Sequence, residues 1–521
     1  MRDSIDHHRE IPYRLLKCDP QLSVGDSGSG NLLVHGDNLF TLKALLPYYA
    51  GQVKCVYIDP PYNTGNERWV YNDAVNSPEI RSWLGRVVGS ETEDLSRHDK
   101  WLCMMYPRLE LLKQFLRDDG SIWISMGDDS IGYLRLLLDE IFEPMRFVAT
   151  MIWQKRYSRE NREAVGDVHE YIVVYAHNRD SFKRARNRVP LDSKSAAVYK
   201  NLNNDPKGRW RAIPMTAQGY RTNQMYPVTT PSGRVLRPPK GRCWSTIEPE
   251  FLKLRAEGRI WFGKKGNSAP GIIRYLDEVE GLVPWTWWPH EEVGHTDEAK
   301  KEVLAFAGQD EAFDTPKPER LMKRIIEIAT NKGDLVLDCF AGSGTTGAVA
   351  HKMGRRWIMA EERNYCETLI ANRMRAVIEG KDQGGISEAV EWKGGGAYRF
   401  TRIGPTLFDA AGQVGSTVTF LELAQHVFFT ETGEPLVTTA ARKGSPLIGL
   451  CNGTAYYLLF NGILGDKRPD GGNVLTGSIL QQLPTHDGPR VIFGEGCRIG
   501  QTRLKREQIV FKQIPYEIKV Y

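Results

Sequence analysis

Apolar residues in the first third of the chain fall in short runs, separated by longer stretches with helical spacing. LLVH (32–35) reads as a strand, 39–49 as a helix and VKCVYI (53–58) as a buried strand. Between Trp101 and Leu116 the apolar positions return at helical spacing, and SIWISM (121–126) is again strand-like. A helix over Ile131–Phe142 follows, then strands FVATMIW (147–153) and YIVVYA (171–176). Strands alternating with helices in units of this size predict an α/β domain with a mostly parallel, doubly wound sheet. The rhythm stops from His177 to about Asp310, where the chain becomes basic and rich in Pro, Gly and Trp. It resumes with a helix after Pro318, a strand DLVLDCF (334–340), a helix from Thr345, a strand RWIMA (356–360) and a helix from about Asn364. Short β-like runs follow the glycines at 394–396. The pattern therefore divides into an arm (1–30), one half-domain (31–177), an inserted module (178–310), a second half-domain (311–400) and a β-rich C-terminal appendage (401–521), with no internal repeat.

Composition narrows the class. The 521 residues are 41% hydrophobic and 26% charged, an ordinary globular balance large enough to bury a core without staples. The eight cysteines are scattered with no C-x-x-C pair, which argues against a disulfide framework or zinc ribbon. No metal is expected, and a reducing, cytoplasmic setting is. The opening MRDSIDHHRE is too charged for a signal peptide. The uncharged stretch 447–465 is long enough to cross a bilayer, but its Asn452, Asn461 and four glycines read as two short strands and a turn. A membrane role is therefore not expected.

The net charge of +5 hides an asymmetry. Between Arg179 and Arg242 stand 15 Lys and Arg against three acids, a local +12 that leaves −7 for the rest. One basic segment on an acidic body suits a confined anionic partner such as a phosphate backbone, although a solvated charged face gives the same pattern. The tryptophans of this region (Trp210, Trp244, Trp261, Trp285, Trp287, Trp288) are more simply core than base-stackers.

Three strand ends carry candidate chemistry. Asp59-Pro60-Pro61-Tyr62 follows VKCVYI directly, and ligands of a doubly wound sheet sit at the carboxyl ends of its strands. A carboxylate, a proline-fixed carbonyl and an aromatic ring can together hold a planar base with an exocyclic amine: Asp59 and the Pro60 carbonyl accept the amine protons while Tyr62 stacks. A rigid turn capped by Asp fits the same residues. The second is Asp338-Cys339-Phe340-Ala341-Gly342-Ser343-Gly344-Thr345-Thr346-Gly347, whose glycines permit a tight turn and close approach of a nucleoside. No Gly-Lys-Ser/Thr follows, so it is not a Walker loop. Glu361, at the end of the next strand, can grip ribose hydroxyls, and Glu362 is an equal candidate. The third is Asp37 after LLVH, either an acceptor for a nucleoside amine or a helix N-cap.

These residues carry a resemblance. LLVHGDNLFTLKAL…VKCVYIDPPYNTGN, the distant DCFAGSGTTG, and TPKPERLMKRI (315–325) resemble the β-class amino-methyltransferases of DNA. HDKWLCMMYPRLELL, SIWISMGDDS, HEYIVVYA, GHTDEAKKEV and GGGAYRF are similar to the same group, most closely to modification subunits of type III restriction systems. The resemblance implies a Rossmann-like sheet in circularly permuted order, with a target-recognition module between a catalytic and a cofactor half. It implies S-adenosylmethionine as cofactor, double-stranded DNA as substrate and adenine N6 as target. Asp59, Pro60, Pro61 and Tyr62 would form the catalytic motif. Asp338, Phe340, Ala341, Gly342, Ser343, Gly344 and Thr345 would line the cofactor, with Glu361 on its ribose, Asp37 on its adenine and Lys317 near its carboxylate end. In the basic insert, Lys183, Arg184, Arg186 and Arg188 would meet phosphates, and Arg209, Arg211, Arg221, Arg234, Arg237 and Arg242 are candidates for reading guanines. His98, Asp99 and Lys100 either approach the target base or cap a helix. The resemblance further implies a homodimer and a helicase-nuclease restriction subunit as partner. Competing readings are a cytosine-N4 enzyme, an RNA substrate, a DNA-recognition or scaffold subunit, and a nicotinamide-linked oxidoreductase; the last leaves Asp59–Tyr62 and the basic insert unexplained.

Overall fold

The computed structural model describes residues 11–26, 30–63, 97–158, 164–191, 193–307, 313, 315–409, 413–437, 445–462 and 468–514. The chain forms two compact units, Met1–Asn187 with Trp285–Tyr521, and Arg188–Pro284.

The larger unit is organised on one sheet, ten-stranded among the described residues. In chain order its elements are β1 (Arg14–Val24), β2 (Leu32–His35), α1 (Asn38–Tyr49), β3 (Val53–Ile58), α2 (Arg97–Phe115), β4 (Leu116–Met126), α3 (Ile131–Phe142), β5 (Phe147–Gln154), β6 (His169–Ala176), β7 (Trp287–Trp288), α4 (Thr296–Ala307), α5 (Glu319–Ala329), β8 (Leu335–Asp338), α6 (Thr345–Lys352), β9 (Arg356–Glu361), α7 (Ala371–Ile378) and β10 (Tyr398–Thr406). The strand order is β1-β10-β2-β9-β8-β3-β4-β6-β5-β7. From β10 to β4 every pairing is parallel; β1 runs antiparallel to β10, and β6 antiparallel to both β4 and β5. All of β3 and β8 is buried, as the near-continuous apolar runs of a parallel sheet require. Lys54 is tolerated inside β3 because its ammonium reaches Asp119 at 2.7 Å.

The elements expected from the apolar pattern form where the pattern placed them. The helix expected from Asn364 begins as a π-helical turn, Cys366–Ile370, and continues as α7. The stretch 447–465 contains strands Leu447–Cys451 and Thr454–Leu458, joined at Asn452 and Gly453, both with φ positive (48° and 75°). That backbone is the tight hairpin turn Asn-Gly favours. Among the described residues no helix is long and apolar enough to cross a membrane. Part of the appendage joins the main core: helix Phe420–Thr432 packs on α1, burying Leu423, Val427 and Phe428 with Leu42 and Leu45. A four-stranded sheet (447–451, 454–458, 490–494, 509–513) follows, with its own cluster around Tyr457, Leu480, Ile492 and Leu504.

The smaller unit is narrower than the insert read from composition. Residues 178–187 and 285–307, including Lys183, Arg184 and Arg186, lie in the larger unit. Short strands 210–214, 260–261 and 271–275 form the smaller unit's main sheet, and Met215, Tyr226, Val228, Trp244, Phe251 and Phe262 its core. Trp210 packs edge-on against Trp261 in a second cluster. In the larger unit Trp288 is fully buried, whereas Trp285 and Trp287 are 56% and 43% exposed, so these two depart from the core reading.

Candidate functional site

Two motifs far apart in sequence meet because β3 and β8 pair in parallel, Cys55 opposite Val336 and Val56 opposite Leu337. Both strands point the same way, so Asp59–Tyr62 and Asp338–Thr345 leave the sheet side by side. This is where the strand order reverses direction, the crevice in which doubly wound sheets bind ligands. On the next strands His35 pairs with Glu361, and the Gly36 N–H donates to the Glu361 carbonyl at 3.0 Å. That brings Asp37 and Glu361 to the same edge.

The glycine loop is braced from beneath. The Asp338 carboxylate accepts the Phe340 N–H at 2.9 Å and the Thr346 hydroxyl at 2.6 Å, and burial pushes its pKa up to about 7. Gly342 and Gly344 have φ of 55° and 76°. A Cβ on Gly342 would lie 3.1 Å from the Phe313 ring, and one on Gly344 2.9 Å from Ile370 Cγ2. Both glycines are therefore required by conformation and by space. Glu361 accepts N–H groups of Gly342 (3.0 Å), Glu362 (3.0 Å) and Arg363 (3.3 Å), so its carboxylate holds the loop against β9. Its pKa is raised, chiefly by burial. Glu362 is exposed. Ser343 and Thr345 hydroxyls lie 3.0 Å apart, and the Arg373 guanidinium donates to the Ser343 carbonyl (3.1 Å) and Thr345 Oγ1 (2.9 Å). Phe340 and Ala341 are buried within the loop. Asp37 caps α1: its Oδ1 accepts the Leu39 and Phe40 N–H groups, and its Oδ2 accepts from Arg108 at 3.2 Å.

Around Asp59 the side chains form a chain of opposite charges. Lys317 Nζ donates to Asp59 Oδ2 at 2.7 Å and lies 3.5 Å from Glu170 Oε2. Lys155 pairs with Glu170 at 3.3 Å and with Asp167 at 2.8 Å. The Tyr62 hydroxyl donates to Glu170 at 2.9 Å, and its ring lies against Gly127, where a Cβ would come within 3.1 Å. The Trp101 indole donates to the Pro61 carbonyl at 2.8 Å, fixing the turn. Asp59 Oδ1 is buried with no hydrogen-bond partner among the described residues. Burial raises the Asp59 pKa, and the Lys317 charge opposes the rise. His98 stacks on Tyr133 and lies 3.1 Å from the Asn63 amide, whereas the side chains of Asp99 and Lys100 lie outside the described residues.

Lys317 is thus found on Asp59 and Glu170. Sequence reasoning missed Glu170, Arg373 and Phe313. Glu170 opens the apolar run of β6 and reads as a strand-start acid until the antiparallel β4–β6 pairing is known.

Of the ten basic residues assigned to DNA, eight are exposed; Arg186 and Arg242 are half-buried. In the smaller unit Arg188 approaches Glu280 at 4.0 Å, while Arg209, Arg211, Arg221, Arg234, Arg237 and Arg242 form no ion pair among the described residues.

The N6/N4 DNA methylase family model matches residues 53–372. Among curated proteins, the Mod subunit of the type III restriction-modification enzyme StyLTI from Salmonella typhimurium LT2 is 36% identical over 342 residues, 62% of this chain and 50% of that protein. The probable HindVI Mod subunit of Haemophilus influenzae Rd is 29% identical over 74% of this chain and 55% of its own length. The DNA adenine methyltransferase YhdJ of Escherichia coli K12 is 59% identical, with 63% of this chain and 77% of that protein covered. The chain spans about half the length of the two Mod subunits. With the two motifs brought together on adjacent parallel strands and the family match running through both, the chain belongs to the DNA methylase family.

Proposed function

We propose that the protein transfers a methyl group from S-adenosylmethionine to N6 of an adenine flipped out of double-stranded DNA. The observation that carries this reading is Asp59 Oδ1, a buried carboxylate oxygen left without a partner among the described residues, beside a fixed aromatic ring. Methylation of an exocyclic amine needs such an acceptor. The residues present fit the cofactor: a loop with left-handed backbone at Gly342 and Gly344, the ring of Phe340, and the carboxylates of Glu361 and Asp37.

When bound, S-adenosylmethionine supplies an electrophilic methyl on its sulfonium sulfur, whose C–S bond breaks as the bond to N6 forms. The chain's own residues prepare the amine. Asp59 Oδ1 and the Pro60 carbonyl accept its two protons and draw it from planar towards tetrahedral geometry, freeing a lone pair that is otherwise delocalised into the ring. The Pro61 carbonyl accepts the Trp101 indole N–H, which fixes the turn that presents Pro60. Tyr62 stacks on the base from a position set by Glu170 and Gly127. Positioning is the main contribution, because the amine proton becomes acidic only once the N–C bond forms. Asp59 therefore works ionised, as an acceptor, with Lys317 opposing the cost of its burial.

The smaller unit serves as a DNA-recognition module, supported by arginines that have no ion-pair partner among the described residues, and in the larger unit the exposed Lys183 and Arg184 and the half-buried Arg186 are assigned to phosphates. The similarity to Mod subunits supports a role as the modification component of a restriction system, with a second copy of this chain and a helicase-nuclease subunit as partners. Eight free cysteines suit a cytoplasmic setting.

The test is mass spectrometry of nucleosides after incubating unmethylated DNA with the protein and S-adenosylmethionine, beside Asp59→Ala. N6-methyladenine is expected with the wild type, with a loss of at least about 100-fold in the variant. N4-methylcytosine would keep the geometry and overturn the base. No methylated nucleoside on DNA of diverse sequence would overturn the reading.

A further inference from the structure

Lys317 and Glu170 lie outside the Asp-Pro-Pro-Tyr motif, on the segment before α5 and on β6, yet each binds one of its functional side chains. Lys317 is only 9% exposed and holds Asp59 Oδ2 at 2.7 Å, which leaves Oδ1 as the free acceptor. Its Nζ also sits 5.2 Å from the centre of the Tyr62 ring and 5.9 Å from that of Trp153, so the cation that holds Asp59 lies over the Tyr62 ring as well. Glu170 Oε2 receives Lys317 and the Tyr62 hydroxyl together, while its Oε1 is held by Lys155.

We propose that Lys317 and Glu170 are positioning residues for the transfer. Lys317 keeps Asp59 a carboxylate with Oδ1 turned to the amine, and Glu170 locks Lys317 and Tyr62 in one register. This deepens the amine-methylation reading and rests on it.

The charged and titratable groups facing Asp59 are Lys317, Glu170 behind it on β6, Tyr62 from its own turn, Tyr57 on β3 and Asp338 on β8. Lys317 is the cation paired with Asp59 among the described residues; Glu170 acts in the opposite sense, while the Tyr62 hydroxyl acts in the same sense as Lys317. An opposite charge at this distance shifts a carboxyl group by about one to three pH units. Without Lys317, Asp59 holds its proton to higher pH, and a protonated Oδ1 or Oδ2 becomes a donor. Without the negative charge of Glu170, Asp59 loses a proton more readily.

The two variants therefore move the acid limb of the kcat–pH profile in opposite directions. Lys317→Ala should lower kcat about 100-fold at pH 7 and shift the limb upward, so that activity recovers in alkali. Lys317→Arg should restore both. Glu170→Gln keeps an acceptor for Tyr62 and should move the limb downward; it carries the test if Lys317→Ala does not fold. Two readouts do not depend on turnover. Affinity for S-adenosylhomocysteine, measured by calorimetry, should stay within about twofold in all three variants if Lys317 acts on Asp59 and not, as the resemblance implies, at the cofactor's carboxylate end, because Lys317 and Glu170 are found on Asp59 and Tyr62 and not on the glycine loop. Infrared difference spectra across pH should show a protonated-carboxyl band that persists to higher pH in Lys317→Ala than in the wild type and disappears in Lys317→Ala/Asp59→Asn.

A fall in S-adenosylhomocysteine affinity with an unmoved limb would overturn the proposal and return Lys317 to the cofactor. So would equal losses at every pH, which would make its role one of packing. A wild type that methylates nothing would instead sink the underlying reading, so the two failures are distinguishable.

Discussion

Glu319 opens α5 as an unremarkable acid, yet it is 1% exposed and accepts four hydrogen bonds. Lys352 Nζ donates to both of its oxygens at 2.9 Å, Arg373 Nη2 to Oε1 at 2.9 Å and the Ile386 N–H to Oε2 at 3.0 Å. Lys352 and Arg373 are themselves buried, at 0% and 1% side-chain exposure. Glu319→Gln keeps the shape and removes the charge. Arg373 then faces a neutral amide, one of whose ends is a donor aimed at donors, while Lys352 keeps Asp382 at 3.0 Å. Hydrogen bonds to charged groups contribute about 1.5–3 kcal/mol each, but part is returned because no carboxylate need be desolvated. Breaking a buried ion pair from one side costs about 3–5 kcal/mol, and that is the expected loss in urea unfolding followed by circular dichroism. The loss should be felt at the ligand too, since Arg373 also holds Ser343 and Thr345 of the glycine loop. Calorimetric titration should show weakened S-adenosylmethionine binding in the folded variant. A loss below about 1 kcal/mol with unchanged cofactor affinity would refute the view that this network braces the loop.

Two further expectations rest on the same geometry. Asp338 is buried with its pKa raised to about 7 from an unfolded value near 3.8, so its contribution to stability is present in full below about pH 4 and is lost as pH rises towards 7; wild type should lose ground against Asp338→Asn over that window, by up to about 4 kcal/mol in urea unfolding, and a pH-independent difference would contradict the assignment. Replacing Lys183 and Arg184 by Ala should weaken DNA binding and lower the slope of log K against log salt by about 0.9 for each phosphate no longer neutralised, measured by fluorescence anisotropy across salt; an unchanged slope would show that neither residue meets a phosphate.

Much of the larger unit was legible in the sequence because parallel strands buried on both faces leave near-continuous apolar runs. VKCVYI and DLVLDCF announce themselves, and a strand end followed by Asp-Pro-Pro-Tyr or by glycines marks the edge where ligands sit. The pairing of those strands was legible only through resemblance, since no periodicity says that residue 55 lies beside residue 336. Charge partners were not legible. Lys317, Glu170, Glu319 and Arg373 each stand where a polar residue is ordinary, at a helix start, a strand start or within a helix. What makes them unusual is burial against a partner from another element. The reach of the appendage into the main core was hidden for the same reason: helix Phe420–Thr432 matches α1 in three dimensions and in no linear pattern.

The pairing of Cys55 with Val336 also has a consequence for synthesis. β3 lies inside the finished sheet, but the strand that covers one of its sides is made 281 residues later, counting from 55 to 336. At roughly 5–20 residues per second the ribosome needs about 14–56 s to supply it. Throughout that interval the nascent chain carries a largely apolar strand with an open edge, the kind of template on which other chains assemble. Fragments ending before β8 would keep that edge permanently, and they would be products for chaperones and proteases to clear.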